Sequence, residues 1–144
     1  MAKLYRNKLR QVRGDMEKLI QRDLPRIVKR EGLQFISDNF SQQGFQSGSG
    51  VDKWKSRKPP KGRKAKRRQG RSLLVDRGHL RRNWEQETTE QPGKVTFQNS
   101  HPAAEVHNEG GENMPQRQMI GESNKLDKMI EQKVDKVMNR ILKD

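Results

Sequence analysis

The sequence predicts an α+β fold, because apolar residues at helical spacing occupy both ends of the chain and short segments of strand type lie between them. In chain order we expect an N-terminal helix or helix pair, a long basic loop, a small antiparallel sheet with a short helix, and a C-terminal amphipathic helix. The 144 residues fit a single domain spanning 1–144. Only 28% of them are hydrophobic, so we expect a thin core whose burial is completed against other subunits.

An apolar stripe over the first forty residues predicts the N-terminal helix. Pro25 lies inside this stripe, where it either begins a second helix or kinks one long helix. The periodicity indicates an amphipathic helix packed on the core. The stripe consists of Val12, Met16, Leu19, Ile20, Leu24, Ile27, Val28, Leu33, Ile36 and Phe40.

Residues 41–72 differ in composition from the rest of the chain, and we call them the basic arm. Gly and Ser alternate over 47–50, and the segment shows no helical or strand periodicity, so we expect an extended loop. Between Lys53 and Arg71 there are eleven basic residues and no acid. Removing these eleven from the 32 basic residues of the chain leaves 21 against 18 acidic ones, so the net charge of +14 is a local feature.

The eleven basic residues are the candidate contacts to DNA or to an acidic partner protein, because phosphates and carboxylates are the groups that lysine and arginine bind. A loop that is solvated and serves no specific contact is the alternative. The eleven are Lys53, Lys55, Arg57, Lys58, Lys61, Arg63, Lys64, Lys66, Arg67, Arg68 and Arg71.

After the arm, residues 73–75 predict a short strand or a buried turn, and Asp76 is a candidate cap for a brief helical turn that carries Leu80. Two strands, 84–89 and 94–98, are predicted around a Pro-Gly turn in which Gly93 takes a positive φ. Val95 and Phe97 would share one face of the second strand.

A short helix is predicted from Pro102 to the glycine at 110, because proline suits a first turn and glycine follows a last one. Residues 109–114 then form a glycine-rich loop. We expect Gly110, Gly111 and Gly121 to be turn positions with positive φ.

The C-terminal segment shows the clearest helical pattern in the chain. Ser123 is a candidate N-cap, and Lys143 lies where the helix dipole favours a cation. The apolar stripe consists of Leu126, Met129, Ile130, Val134, Val137, Met138, Ile141 and Leu142.

Catalytic chemistry is not predicted. The chain has no cysteine, which excludes disulfides and thiol catalysis, and its histidines, His79, His101 and His107, match no metal-binding spacing. No nucleophile motif or phosphate-binding loop is present. We therefore expect no enzyme activity, cofactor, metal or small-molecule substrate. No apolar run approaches the roughly 20 residues that a membrane span needs, and no signal peptide is recognisable.

Four short segments after the N-terminal helix carry a resemblance to a known family. The first runs from Phe40 and Gly44 to Trp54, and the second contains Leu74, Gly78 and Leu80. The third is 102–110, with His107 and Gly110, and the fourth is 114–121, with Pro115, Arg117 and Gly121. In this order they resemble the phage virion morphogenesis family, the tail-completion or neck proteins of tailed bacteriophages such as Mu. Ala103 stands where that family usually has an aromatic residue, and Gln118-Met119 replaces Pro-Phe.

The resemblance implies a structural virion protein of the neck, which completes the tail and joins head to tail as a ring around the DNA channel, with a hexamer as one stoichiometry. The implied partners are further copies of the chain, head connector or portal-side proteins, tail terminator or tail tube proteins, and genomic DNA. The implied location is the virion, after assembly in the cytoplasm of the bacterial host.

The residues themselves add roles within that picture. Trp54 is expected to anchor the arm in a neighbour's pocket, since aromatic residues are common interface anchors. Arg117 is expected to hold a carboxylate or backbone carbonyls with its planar fork, and His107 to pack or hydrogen-bond at the short helix. Two alternatives remain at this point, a sequence-independent nucleic-acid-binding protein and a transient tail-assembly chaperone. The scarcity of aromatic residues disfavours the first, and the sequence does not separate the second from a permanent neck protein.

Overall fold

Helices form both ends of the chain, and two small antiparallel hairpins lie between them, so the α+β prediction is confirmed. The structure, a computed structural model, describes residues 1–143. The helices are α1 (Ala2–Lys18), α2 (Leu24–Gln42), α3 (Arg63–Arg68), α4 (His79–Glu87), α5 (Ala103–Glu109) and α6 (Asn124–Lys143). The strands are β1 (Gly44–Gln46), β2 (Val51–Lys53), β3 (Thr89–Gln91) and β4 (Lys94–Thr96).

The N-terminal helix is a pair of helices, α1 and α2, joined by a π-helical turn at Leu19–Asp23. Pro25 lies in the first turn of α2 and has no N–H, so the α-helical bond to the carbonyl of Gln21 cannot form. The N–H of Gly93, in the β3–β4 turn, donates to this carbonyl at 3.3 Å. Pro25 thus leaves an acceptor that fixes the second hairpin to the helix.

Helix α2 is the centre of the fold, and the other elements pack around it. Phe35, Ile36, Asn39 and Phe40 on its inner face are almost fully buried. The Asn39 side chain donates to the carbonyl of Met119 at 2.9 Å and accepts from the backbone N–H of Gln46 at 3.1 Å. The main core cluster consists of Ile36, Phe40, Trp54, Leu80, Trp84, Ala104 and Met119.

Helix α6 packs across α2 and α1. Ser123 caps it as predicted, because its Oγ accepts from the backbone N–H groups of Lys125 at 3.1 Å and Leu126 at 3.3 Å. The apolar stripe lies on the inner face, but no residue of α6 is fully buried. Leu142, at the end of the stripe, remains 60% exposed.

The predictions for α5 and for the second hairpin hold. Helix α5 begins after Pro102 and ends at Gly110, where φ is 80°. Gly93 has a φ of 69°, and residues 94–98 alternate between exposed and half-buried with Val95 and Phe97 on the inner face. Strands β3 and β4 are antiparallel with Gln91 opposite Lys94.

The positive φ predicted for Gly111 and Gly121 is wrong, since neither lies in that region. Gly111 instead forms an isolated backbone bridge with Met114. Gly121 is constrained by space, because a Cβ added there would lie 2.0 Å from Nε2 of Gln118.

The strand predicted for residues 84–88 is wrong. These residues continue α4, whose buried residues Leu80 and Trp84 are four positions apart on one helical face. Asp76 does not cap this helix, which follows Gly78 with no side-chain cap. Residues 73–75 form a half-buried turn with Leu74 at a φ of 59°, so the turn alternative is the right one.

The basic arm is more regular than the predicted extended loop. Helix α2 continues to Gln42, and β1 and β2 then form an antiparallel hairpin with Gly44 opposite Lys53. Gly44 is required there, because a Cβ would lie 2.7 Å from the carbonyl oxygen of Asp52. The six-residue helix α3 lies in the middle of the basic run.

Candidate functional site: the basic arm and the cleft at its base

Trp54 fixes the start of the basic run to the core of its own chain. Its ring is buried and meets Phe40 edge-on at a centroid distance of 5.5 Å. Its Nε1 donates to the carbonyl oxygen of Gln118 at 2.9 Å. The expectation that Trp54 anchors the arm in a neighbour's pocket is therefore wrong, because the same chain already fills that role.

Arg117 holds the next residue of the arm. Its Nε donates to the carbonyl oxygen of Lys55 at 3.0 Å, as predicted for a guanidinium that binds backbone carbonyls. Its own N–H donates to the carbonyl of His107 at 2.6 Å, which ties the segment 114–121 to α5. Arg117 is only 6% exposed, and no acidic residue among 1–143 forms an ion pair with it.

Arg57 folds the arm back on itself. Its guanidinium donates to the carbonyl oxygens of Arg68, Arg71 and Ser72 in the segment that follows α3. Arg57 is one of the residues predicted to contact DNA or a partner, but the structure uses it to close the loop that carries α3. Carbonyls at a helix C-terminus favour a cation, so this placement is electrostatically sound.

Three more of the predicted contact residues are engaged within the chain. Arg71 bonds to the Asp76 carboxylate at 2.8 Å, and Arg68 lies 3.6 Å from the same group. Lys53 donates to the carbonyl of Gln42 at 2.6 Å. The other seven are exposed, and within residues 1–143 their side chains form no hydrogen bond or ion pair. They are Lys55, Lys58, Lys61, Arg63, Lys64, Lys66 and Arg67.

A cleft of about 530 Å³ lies at the base of the arm. One side is the apolar turn 73–75 together with Leu80, and the other side carries Ala103 of α5 and Met114. The charged and titratable residues that line it are Arg57, Arg68, Asp76, Arg77, His79, His101, His107 and Arg117.

The positive charge in this cleft lowers the basicity of its own residues. Burial, and then the charges of Arg117 and His101, lower the pKa of His107 below the ordinary histidine value. Burial and the neighbouring Arg57 charge also lower the pKa of Arg117. Nδ1 of His107 is buried and has no hydrogen-bond partner within the described chain, so the predicted packing role holds but this nitrogen makes no bond.

The motif glycines and proline serve the local backbone. Gly78 has a φ of 78° directly before α4, and Gly110 ends α5. Pro115 is half-buried on a second cleft of about 460 Å³, which Arg117 also lines.

Two asparagines, Asn39 and Asn108, organise this region and were missed in the sequence, because a single polar residue gives no periodic signal. Asn39 joins α2 to the segment 114–121 through its bond to Met119. Asn108 accepts at its Oδ1 from the N–H groups of Met119 at 2.9 Å and Ile120 at 3.1 Å.

Within residues 1–143, no group of three or more His, Asp or Glu side chains is placed to hold a metal ion. None of the helices described is both long and apolar enough to cross a membrane. Comparison with protein-family models, curated proteins and solved structures finds no match.

Proposed function

We propose that the chain is a structural protein of a tailed-phage virion, which completes the tail and joins head to tail as an oligomeric ring around the DNA channel. Its partners on this proposal are further copies of itself, the head connector or portal-side proteins, and the tail terminator or tail tube proteins. Genomic DNA passes through the ring, and the protein is a permanent part of the neck.

The observation that carries the proposal is the meeting of the four family-like segments in one place. Phe40, Trp54, Leu80 and Met119 each come from a different part of the chain, and all belong to one core cluster. Leu74 packs against it, and Arg117 holds the arm beside it. Chance likenesses scattered over a sequence have no reason to converge, whereas the segments of a shared fold do.

The exposed apolar face of α1 supports self-association. Leu4 and Leu9 are 71% and 70% exposed, and Tyr5 lies between them on the same side of the helix. Leu142 of α6 is exposed as well. On the proposal, a second copy of the chain covers this face, and a ring requires such a contact to repeat head to tail.

The basic arm supports a place at a DNA channel. Its ends are fixed by Trp54, Arg57 and Arg117, so the seven unpaired cations of the described chain project from a defined position. A ring would multiply these charges and give contacts to phosphates that do not depend on sequence, as a passing genome requires.

The test is to locate the protein in virions of the phage or prophage whose genome encodes the chain. Antibodies raised against the purified chain and visualised by immunogold should label the junction of head and tail. Label on tail fibres or capsid faces would contradict the neck position. Presence in assembly lysates but absence from purified virions would identify a transient tail-assembly chaperone instead.

Sequence-independent nucleic-acid binding is the second candidate, and the seven unpaired cations of the arm favour it. Replacing Lys64, Lys66 and Arg67 with Gln should reduce the salt dependence of duplex binding by about one unit of log–log slope for each phosphate that these side chains no longer bind. Replacing Lys3, Lys8 and Arg10 of α1 with Gln is the control with the same change in charge. Equal effects of the two triple variants would show that only net charge matters.

A further inference from the structure

Arg117 is a buried guanidinium with an incomplete set of partners. Its Nε is bonded to Lys55, but neither terminal nitrogen has a hydrogen-bond partner among residues 1–143. Neither is sealed from solvent, since neither is among the buried unpartnered atoms of the described chain. A charge this deeply buried is costly unless a counter-charge compensates it, and here the described chain supplies none.

The surroundings of Arg117 favour an anion. It lines the cleft at the base of the arm and also the second cleft beside Pro115. Arg57, Arg68 and His107 line the first cleft with it. The one carboxylate that lines this cleft within residues 1–143, Asp76, is already paired with Arg71 and lies near Arg68.

The unsatisfied ring nitrogen of His107 is a second, independent sign of a missing group. Buried polar atoms in folded proteins almost always have a partner, so an orphan nitrogen marks a place where one is absent. His107 adjoins Arg117 through the bond from the Arg117 N–H to its carbonyl oxygen.

The walls of the cleft indicate which anion fits. The turn 73–75, Leu80 and Met114 supply apolar surface around the cationic base. A duplex phosphate lies in a continuous row of phosphates and sugars, and it suits an exposed strip of cations better than a recess with apolar walls. A carboxylate on a flexible protein segment, next to an apolar side chain, suits both the fork of Arg117 and these walls.

We propose that this cleft binds a carboxylate carried beside apolar residues on a partner protein, with Arg117 as its principal ligand. The carboxylate belongs to an Asp or Glu side chain or to a chain terminus. The site does not depend on the neck assignment, because any partner with this chemistry would fit it.

Peptide binding to the full chain tests the site. The first probe is an eight-residue peptide with one glutamate among leucines and alanines and both ends blocked. The second has glutamine in place of glutamate, and the third is the glutamine peptide with a free C-terminal carboxylate. Affinity is measured by fluorescence anisotropy, and the Arg117 Nε–H signal is followed by NMR.

At least one carboxylate peptide should bind about tenfold or more tightly than the blocked glutamine peptide and shift the Arg117 Nε–H signal. Which of the two does so identifies the source as a side chain or a chain terminus. Similar affinities for all three peptides, or no binding at millimolar concentrations, would overturn the proposal. A shift of the Arg117 signal by a short DNA duplex alone would overturn it in favour of phosphate.

A matched pair of variants separates the fork from net charge. Arg117→Lys keeps the charge but loses the planar fork, and it should weaken binding of the carboxylate peptide about tenfold or more. Lys64→Gln loses a charge on the exposed arm and should leave that affinity nearly unchanged. Equal weakening by both would overturn the site. If Arg117→Lys does not fold, the peptide comparison on the unmodified chain still decides.

Discussion

Arg117 donates from Nε to the carbonyl oxygen of Lys55 at 3.0 Å, across 62 residues of sequence. The neighbouring bond from Trp54 to Gln118 joins the same two segments. The arm therefore leaves the core between two fixed points. Its cations are carried by a surface whose start is rigidly placed, which is the relationship on which the functional proposals rest.

Replacing Arg117 with Met should loosen the arm without unfolding the protein. The variant loses the bond to Lys55, but Lys55 is exposed, so water can solvate its carbonyl. It also removes a costly buried charge, so the free energy of unfolding should change by less than about 1 kcal/mol. Amide exchange at residues 55–58 should become at least about tenfold faster. Unchanged exchange there, with Lys64→Met as control, would show that the bond does not hold the arm.

Gly32 and Gly14 provide opposite outcomes for one substitution. A Cβ on Gly32 would lie 2.2 Å from Cζ of Phe97, so Gly32→Ala should destabilise the fold by about 1–3 kcal/mol. A Cβ on Gly14 meets nothing within 4 Å, so Gly14→Ala in α1 should stabilise it by about 0.5–1 kcal/mol. Denaturant unfolding measures both. Adding Phe97→Leu to Gly32→Ala should recover part of the stability, and the absence of coupling would contradict this contact.

Helix α6 offers a matched pair on its apolar stripe. Val134 is half-buried against the helices beneath it, and an aspartate there should cost about 2–3 kcal/mol of unfolding free energy. Leu142→Asp, at a position 60% exposed, should cost less than about 0.5 kcal/mol in the monomer. A larger effect of Leu142→Asp that appears only at high protein concentration would place Leu142 in a subunit contact.

His107 should make the stability of the fold depend on pH. Its pKa is lowered in the folded state, so below the ordinary value of about 6.5 the unfolded chain binds a proton that the folded chain does not. Stability should fall as pH drops from about 6.5 towards the folded-state pKa, by no more than about 1.4 kcal/mol per pH unit. His107→Asn should flatten this dependence between pH 6.5 and the onset of carboxylate titration near about 5. An unchanged slope would place the effect on another group.

Local signals in the sequence identified the elements whose ends are set by local chemistry. Ser123 caps α6, Gly110 ends α5 and Gly93 makes the second turn, each as predicted. The strand predicted at 84–88 failed because Trp84 and the threonines after it have strand propensity. The four-residue interval from Leu80 to Trp84 was the helical signal that was overlooked.

The candidate site was predicted less completely than the fold, because its geometry is set by contacts between distant segments. Charge count identified the arm, but it could not show that Arg57 bonds to its own loop or that Trp54 enters its own core. The burial of Arg117 and the buried Asn39 depend on residues tens of positions away. Such long-range contacts leave no local pattern in a single sequence.

The central claim, a ring-forming neck protein, is tested most directly by mass and shape in solution. Light scattering and negative-stain imaging of the purified chain should be done at low and at high salt, alone and with head connector and tail proteins. The account predicts rings, formed by the chain itself or on addition of these proteins. A persistent monomer that binds any duplex DNA, with affinity falling steeply as salt rises, would contradict the account and support a nucleic-acid-binding protein.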